Sequence, residues 1–149
     1  MRYEDKLERV ELLIKELRES SKQGAIILVE GRKDKRALRE LGVEGEVIFA
    51  SHFPLLKLID HVANNGAEIV VLTDWDRKGD LLAERINRYL IALGHTPNLR
   101  IRVELSRLIK KDAREVENLP SYIARLRVEC GFNESFDESF DERMRTINY

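Results

Sequence analysis

The sequence predicts an α/β domain with a mostly parallel, four-stranded sheet flanked by helices and an extra helix at each end. Three observations carry this expectation. Short continuous apolar runs, such as those in AIILVEG at 25–31 and EIVVLTDWD at 68–76, read as strands buried on both faces. Between them lie segments whose apolar residues recur three and four apart, the period of an amphipathic helix. Strand and helix alternate along the chain, and that order calls for parallel strands joined by right-handed crossovers.

The elements follow in order. Residues 2–20 place Tyr3, Leu7, Val10, Ile14 and Leu17 on one stripe of a helix. Ile26 to Val29 form the first strand, which stops at Glu30-Gly31. RKDKRALRELG is a short helix with Gly42 as its stop signal. Val47 to Ala50 form the second strand, ending near Ser51-His52. Residues 54–64 form a helix with Pro54 in its first turn. Ile69 to Leu72 form the third strand, which stops at Asp74-Trp75-Asp76. The helix after Gly79 ends at Gly94. A fourth strand is expected over 97–103, because Ile101 and Val103 alternate with Arg100 and Arg102. Residues 107–129 read as helix in two pieces, broken before Pro120. In the tail, Phe132, Phe136, Phe140 and Met144 are four apart and outline a terminal amphipathic helix. No linker divides the chain, so 1–149 reads as a single domain. Its core spans about 24–118, with an N-terminal helix at 2–20 and a C-terminal helical extension at about 121–149.

Composition narrows the function classes. Lys plus Arg number 26 and Asp plus Glu 27, so bulk charge does not announce a nucleic-acid binder, and a local basic patch must be sought instead. A single cysteine, Cys130, excludes an internal disulfide and a cysteine-rich zinc site. No apolar run reaches the length of a membrane span, and the charged N-terminus does not resemble a secretory signal. A cytoplasmic protein without membrane association is expected.

The chemistry concentrates at the strand ends. Ligands of open α/β sheets bind beyond the C-terminal ends of the strands, and Glu30, Asp74 and Asp76 fall there. Clustered carboxylates repel and need a counter-charge. A hard divalent cation such as Mg²⁺, with Mn²⁺ as a substitute, supplies one, and it can also polarise a phosphodiester. Gly31 and Gly79 give the backbone room beside these acids. Lys33, Arg77 and Lys78 are placed to meet phosphates. Asp34 reads as a helix-capping partner, an outer-sphere acid or a direct ligand. His52 reads as a proton carrier, a phosphate contact, or a capping or packing residue. Trp75 reads as a base-stacking side chain or as a wedge under the acidic loop.

These stretches, ILVEGRKDKRAL at 27–38 and IVVLTDWDRKGDLLAERI at 69–86, resemble the Toprim family, the Rossmann-like catalytic domain shared by topoisomerases, bacterial-type primases, old-family nucleases and the ribosomal-RNA maturation nuclease M5. The strand ending in Glu30-Gly31 and the DxDxxG pattern of Asp74, Asp76 and Gly79 carry the likeness. The size resembles the small stand-alone archaeal Toprim proteins. The resemblance implies Glu30, Asp74 and Asp76 as Mg²⁺ ligands and catalytic residues, with Glu30 also the general acid or base.

Topoisomerase, zinc-binding primase and ATPase modules do not accompany the motif, so a small nuclease or RNA-processing factor is the expected function. Two alternatives stand beside it: a non-catalytic nucleic-acid or ribonucleoprotein adaptor that retains the metal site, and primase-like nucleotidyl transfer. RNA is favoured over DNA as the partner. The apolar stripes at both ends suit a homodimer as well as intramolecular packing.

Overall fold

The structure, a computed structural model, describes residues 1–131. The elements run α1 (Tyr3–Lys22), β1 (Ile26–Val29), α2 (Arg32–Glu40), β2 (Val47–Phe49), α3 (Leu55–Ala63), β3 (Ile69–Val71), α4 (Arg77–Ala92), α5 (Arg100–Ile109), a 3₁₀ turn (Val116–Asn118) and α6 (Leu119–Glu129). The strand order is β2-β1-β3, all parallel, with Ile27 opposite both Val47 and Val70.

Alternation along β1 explains its unbroken apolar run. Ile27 and Val29 belong to one core, with Val70 of β3 and residues of α1, α5 and α6. Ile26 and Leu28 belong to the other, with Ile69 and Val71 of β3 and residues of α3 and α4. Both sheet faces are dry, so no position of β1 is left for a polar residue. The C-terminal edge of this sandwiched sheet presents Glu30 and the loop that carries Asp74 and Asp76.

The sheet has three strands, and the four-stranded expectation is corrected. At 97–103 a single residue, Asn98, bridges to Val70. Asn98 donates its N–H to the Ile69 carbonyl at 2.8 Å and accepts from the Val71 N–H at 3.0 Å. Its side-chain oxygen then accepts the Arg100 N–H at 3.0 Å, and the chain turns into α5. The alternation of Arg100, Ile101, Arg102 and Val103 imitates a strand. The burial reverses that reading: Arg102 is buried and Val103 exposed, while Ile101, Leu105 and Ile109 line the core four residues apart.

Pro120 occupies the first turn of α6; the break expected before it falls at residues 110–115, after which the 3₁₀ turn leads into α6. The helix expected through Phe132, Phe136, Phe140 and Met144 lies outside the described residues.

Candidate metal and phosphate site

Glu30 follows the last residue of β1, where the pairing with β2 continues into the loop: the Ser51 N–H donates to the Glu30 carbonyl at 3.0 Å. Its Oε1 is buried and has no hydrogen-bond partner among the described residues. Gly31 then caps α2 in extended conformation and donates its N–H to Asp34 Oδ2 at 3.0 Å, which assigns Asp34 a helix-capping contact.

Asp74 and Asp76 lie past the end of β3, and the strand period no longer sets their directions. Asp74 is buried, and its Oδ1 accepts the Val116 N–H at 2.8 Å. Asp76 is the N-cap of α4, and its Oδ1 accepts the Gly79 N–H at 2.7 Å. Each carboxylate thus has one oxygen tied to backbone. Trp75 between them is fully buried; its backbone N–H donates to the Arg114 carbonyl at 2.9 Å and its indole N–H to the Ala113 carbonyl. It is the wedge under the loop and exposes no face for a base.

Within this site, Gly79 is the glycine whose missing side chain matters. A Cβ there would lie 1.8 Å from the Asp74 carbonyl oxygen and 2.9 Å from Glu30 Oε1. The first turn of α4 is therefore pressed against both acids. At Gly31 a Cβ would meet Asp34 Oδ2 at 3.9 Å, an ordinary contact.

The acids feel one another. Burial pushes the Asp74 carboxyl up to about 7, with Asp34, Glu30 and Asp76 adding to the rise and the Val116 N–H opposing it. Burial also raises Glu30, followed by the charge of Asp76. Asp34 is raised, again by burial first. Lys78 is close enough for its charge to pull Glu30 back down. Lys33 and Arg77 are exposed beside this edge, as is His52 at the end of β2.

A Toprim domain matches residues 25–108, more than half of the chain. The chain belongs to the Toprim family. It is 42% identical over 130 residues to a UPF0292 protein of Methanosarcina barkeri, covering 87% of this chain and 91% of that one. It is 40% identical over 136 residues to a UPF0292 protein of Methanosarcina acetivorans, covering 91% and 93%. In structure it is similar to a protein of Aquifex aeolicus, with a TM-score of 0.62 and 27% identity over 71% of this chain and 94% of that chain. These names carry no activity, so the likeness to primases and to nuclease M5 goes no further than the shared Toprim domain.

Among the described residues, no three His, Cys, Asp or Glu groups stand close enough together to hold a metal ion. The donor chemistry of the Toprim acids nonetheless suits a hard divalent cation. All are carboxylate oxygens, Glu30 Oε1 is an orphaned acceptor, and Asp74 and Asp76 each keep one oxygen outside their backbone contacts. Among the described residues, no helix is long and apolar enough to cross a membrane.

Sequence reasoning missed three features of this Toprim site. Arg102 of α5 is buried and donates to the carbonyls of Thr73 and Asp74 and to Asp80. Its signal in the sequence is a cation alternating with apolar residues, a pattern that fits a strand as well as a helix. The Val116 N–H that holds Asp74 is a backbone group with no sequence signature. Glu115 and Glu117 join the acidic edge beyond the matched domain; a hydrogen bond with Glu117 raises Glu115, and the charge of Glu117 adds to the rise at Asp34.

Proposed function

We propose that this Toprim chain holds a divalent cation, Mg²⁺ or Mn²⁺, between Glu30, Asp74 and Asp76, and acts on nucleic-acid phosphodiesters as a small nuclease or RNA-processing factor. The observation that carries the reading is Glu30 Oε1, a buried acceptor without a partner among the described residues, facing the glycine turn that also touches Asp74. Leaving such an atom unsatisfied costs about 1–3 kcal/mol, and a cation removes that cost. When bound, the ion supplies positive charge to phosphate oxygens and makes a nearby water more acidic.

The chain's own residues do the rest. Asp74 and Asp76 contribute their uncommitted oxygens. Glu30, whose carboxyl is raised by burial, accepts or returns the proton. Lys33, Arg77 and Lys78 meet the phosphates, and His52 lies within the same edge. RNA is the favoured substrate, in an archaeal cytoplasm.

A second reading, a nucleic-acid or ribonucleoprotein adaptor without turnover, draws on the acids' not closing into a three-ligand set. Incubation of the full chain with structured RNA, single-stranded RNA and DNA, in Mg²⁺ or Mn²⁺, separates the two. Cleavage lost in D74A/D76A supports the enzyme. Cleavage unaffected by that double change removes it, and binding without cleavage favours the adaptor.

A further inference from the structure

Beside Glu30, on the β2 side, the described surface carries an aromatic side chain that neither the core nor the acids use. Phe53 is 56% exposed. A single exposed ring means little by itself; its surroundings make it a site. The Phe49 ring lies 6.4 Å away, tilted by 56°. The Arg32 guanidinium lies 5.8 Å from the centre of the Phe49 ring. The loop between the two aromatics is bonded to β1 and to Glu30 after it: Ala50 donates to the Val29 carbonyl at 2.9 Å and Ser51 to the Glu30 carbonyl at 3.0 Å. Within it His52 has φ 72°, a left-handed conformation that a non-glycine residue rarely takes. Such strain persists where the surroundings fix it, and it clusters at functional positions.

We infer that Phe53, with Phe49 and Arg32 behind it, is a stacking platform for an unpaired nucleobase of single-stranded RNA or DNA whose backbone passes the Glu30 edge. The occupant follows from chemistry on the page. A base offers a flat face to one exposed ring and needs no deep groove. Its phosphates find exposed cations at once in Arg32, Lys33 and Arg36. The bases of a duplex are stacked inside it and cannot reach a single projecting ring, so the platform selects unpaired strands. Trp75, between the two aspartates, is fully buried and cannot serve. The inference deepens the phosphodiester reading, on which it rests, by naming the unpaired strand as substrate class.

The test uses the full chain and short fluorescent oligonucleotides, single-stranded and duplex, of RNA and of DNA. Anisotropy is read in EDTA so that no metal contributes. Single strands bind more tightly than duplexes to the unaltered chain. F53A weakens single-strand binding roughly five- to 150-fold, as one stacked base implies, leaves duplex binding unchanged, and F53Y restores it. Circular dichroism shows that F53A is folded. Equal single-strand binding by F53A and the unaltered chain overturns the platform, as does a preference for duplex or no binding at all. The cleavage assay with D74A/D76A reads the metal reading separately. F53-dependent binding without metal-dependent cleavage leaves the platform and removes the enzyme; cleavage with F53-independent binding does the reverse.

Discussion

One nitrogen of the Arg102 guanidinium donates to the Asp74 carbonyl at 2.5 Å and to the Asp80 carboxylate at 2.6 Å. The Nε–H of the same side chain donates to the Thr73 carbonyl at 2.9 Å. Helix α5 thereby holds the backbone of the acidic loop from below, while Asp80 ties the first turn of α4 to the same cation. R102M leaves the two carbonyls without these donors. At about 1–3 kcal/mol for each unsatisfied buried group, a loss of about 3 kcal/mol in urea unfolding is expected. Trp75, the one tryptophan in the sequence, reports the loop directly, and its emission shifts to the red. R102K recovers only part, because an ammonium cannot reproduce the planar fork. An R102M midpoint equal to that of the unaltered chain defeats this account.

Asp74 gives stability a pH dependence of definite sign. Its carboxyl lies at about 7 in the folded chain against an ordinary 3.8. Between those values the folded state holds the proton and the unfolded state has released it, so stability falls as pH rises from about 4 to about 7 and is level above. Glu30 and Asp34 are raised too and act in the same direction. A loss of about 2 kcal/mol is expected across that window in metal-free buffer. D74N flattens most of the slope. Thermal unfolding at a series of pH values checks it, and a rise in stability from pH 4 to 7 contradicts it.

How far the sequence reaches depends on whether its signals are local. The apolar run of β1 and the helical stripes of α1, α3 and α4 were legible because burial on two faces, or on one stripe, is written in residue type and spacing. The position of Glu30 was legible because it follows directly on β1, whereas Asp74 and Asp76 lie three and five residues past Val71, beyond the reach of the strand period. The fourth strand was not. Four residues alternating Arg, Ile, Arg and Val satisfy both periods, and only the side chain of Asn98 and the partner of Arg102 decide for helix. The partners of Asp74 and Asp76 were illegible for a different reason: they are backbone N–H groups of Val116 and Gly79, and every residue but proline has one.

The two glycines of the site differ in what they tolerate. G79A places a methyl group against the Asp74 carbonyl and Glu30 Oε1, and backbone must move to admit it. A loss of about 2–3 kcal/mol is expected, as for other overpacked positions, with a shift in Trp75 emission. G31A meets only an ordinary contact, with φ −140° open to alanine, and its unfolding free energy stays within about 0.5 kcal/mol of the unaltered chain. Equal effects at the two positions argue against the close approach at Gly79.

The metal binding proposed at Asp74 is linked to the same proton. A carboxylate must be ionised to hold a cation, and Asp74 at about 7 is largely protonated below that value. Binding of Mn²⁺ at pH 6 therefore expels a proton that binding at pH 8 does not. Apparent affinity rises up to roughly tenfold per pH unit below 7 and levels off above it. Calorimetry in two buffers of different ionisation enthalpy reads the released proton directly, and EDTA reverses the signal. D74N binds Mn²⁺ weakly and releases no proton at either pH. An Mn²⁺ affinity independent of pH from 5.5 to 8 removes Asp74 from the ligand set and leaves its carboxylate to the Val116 N–H alone.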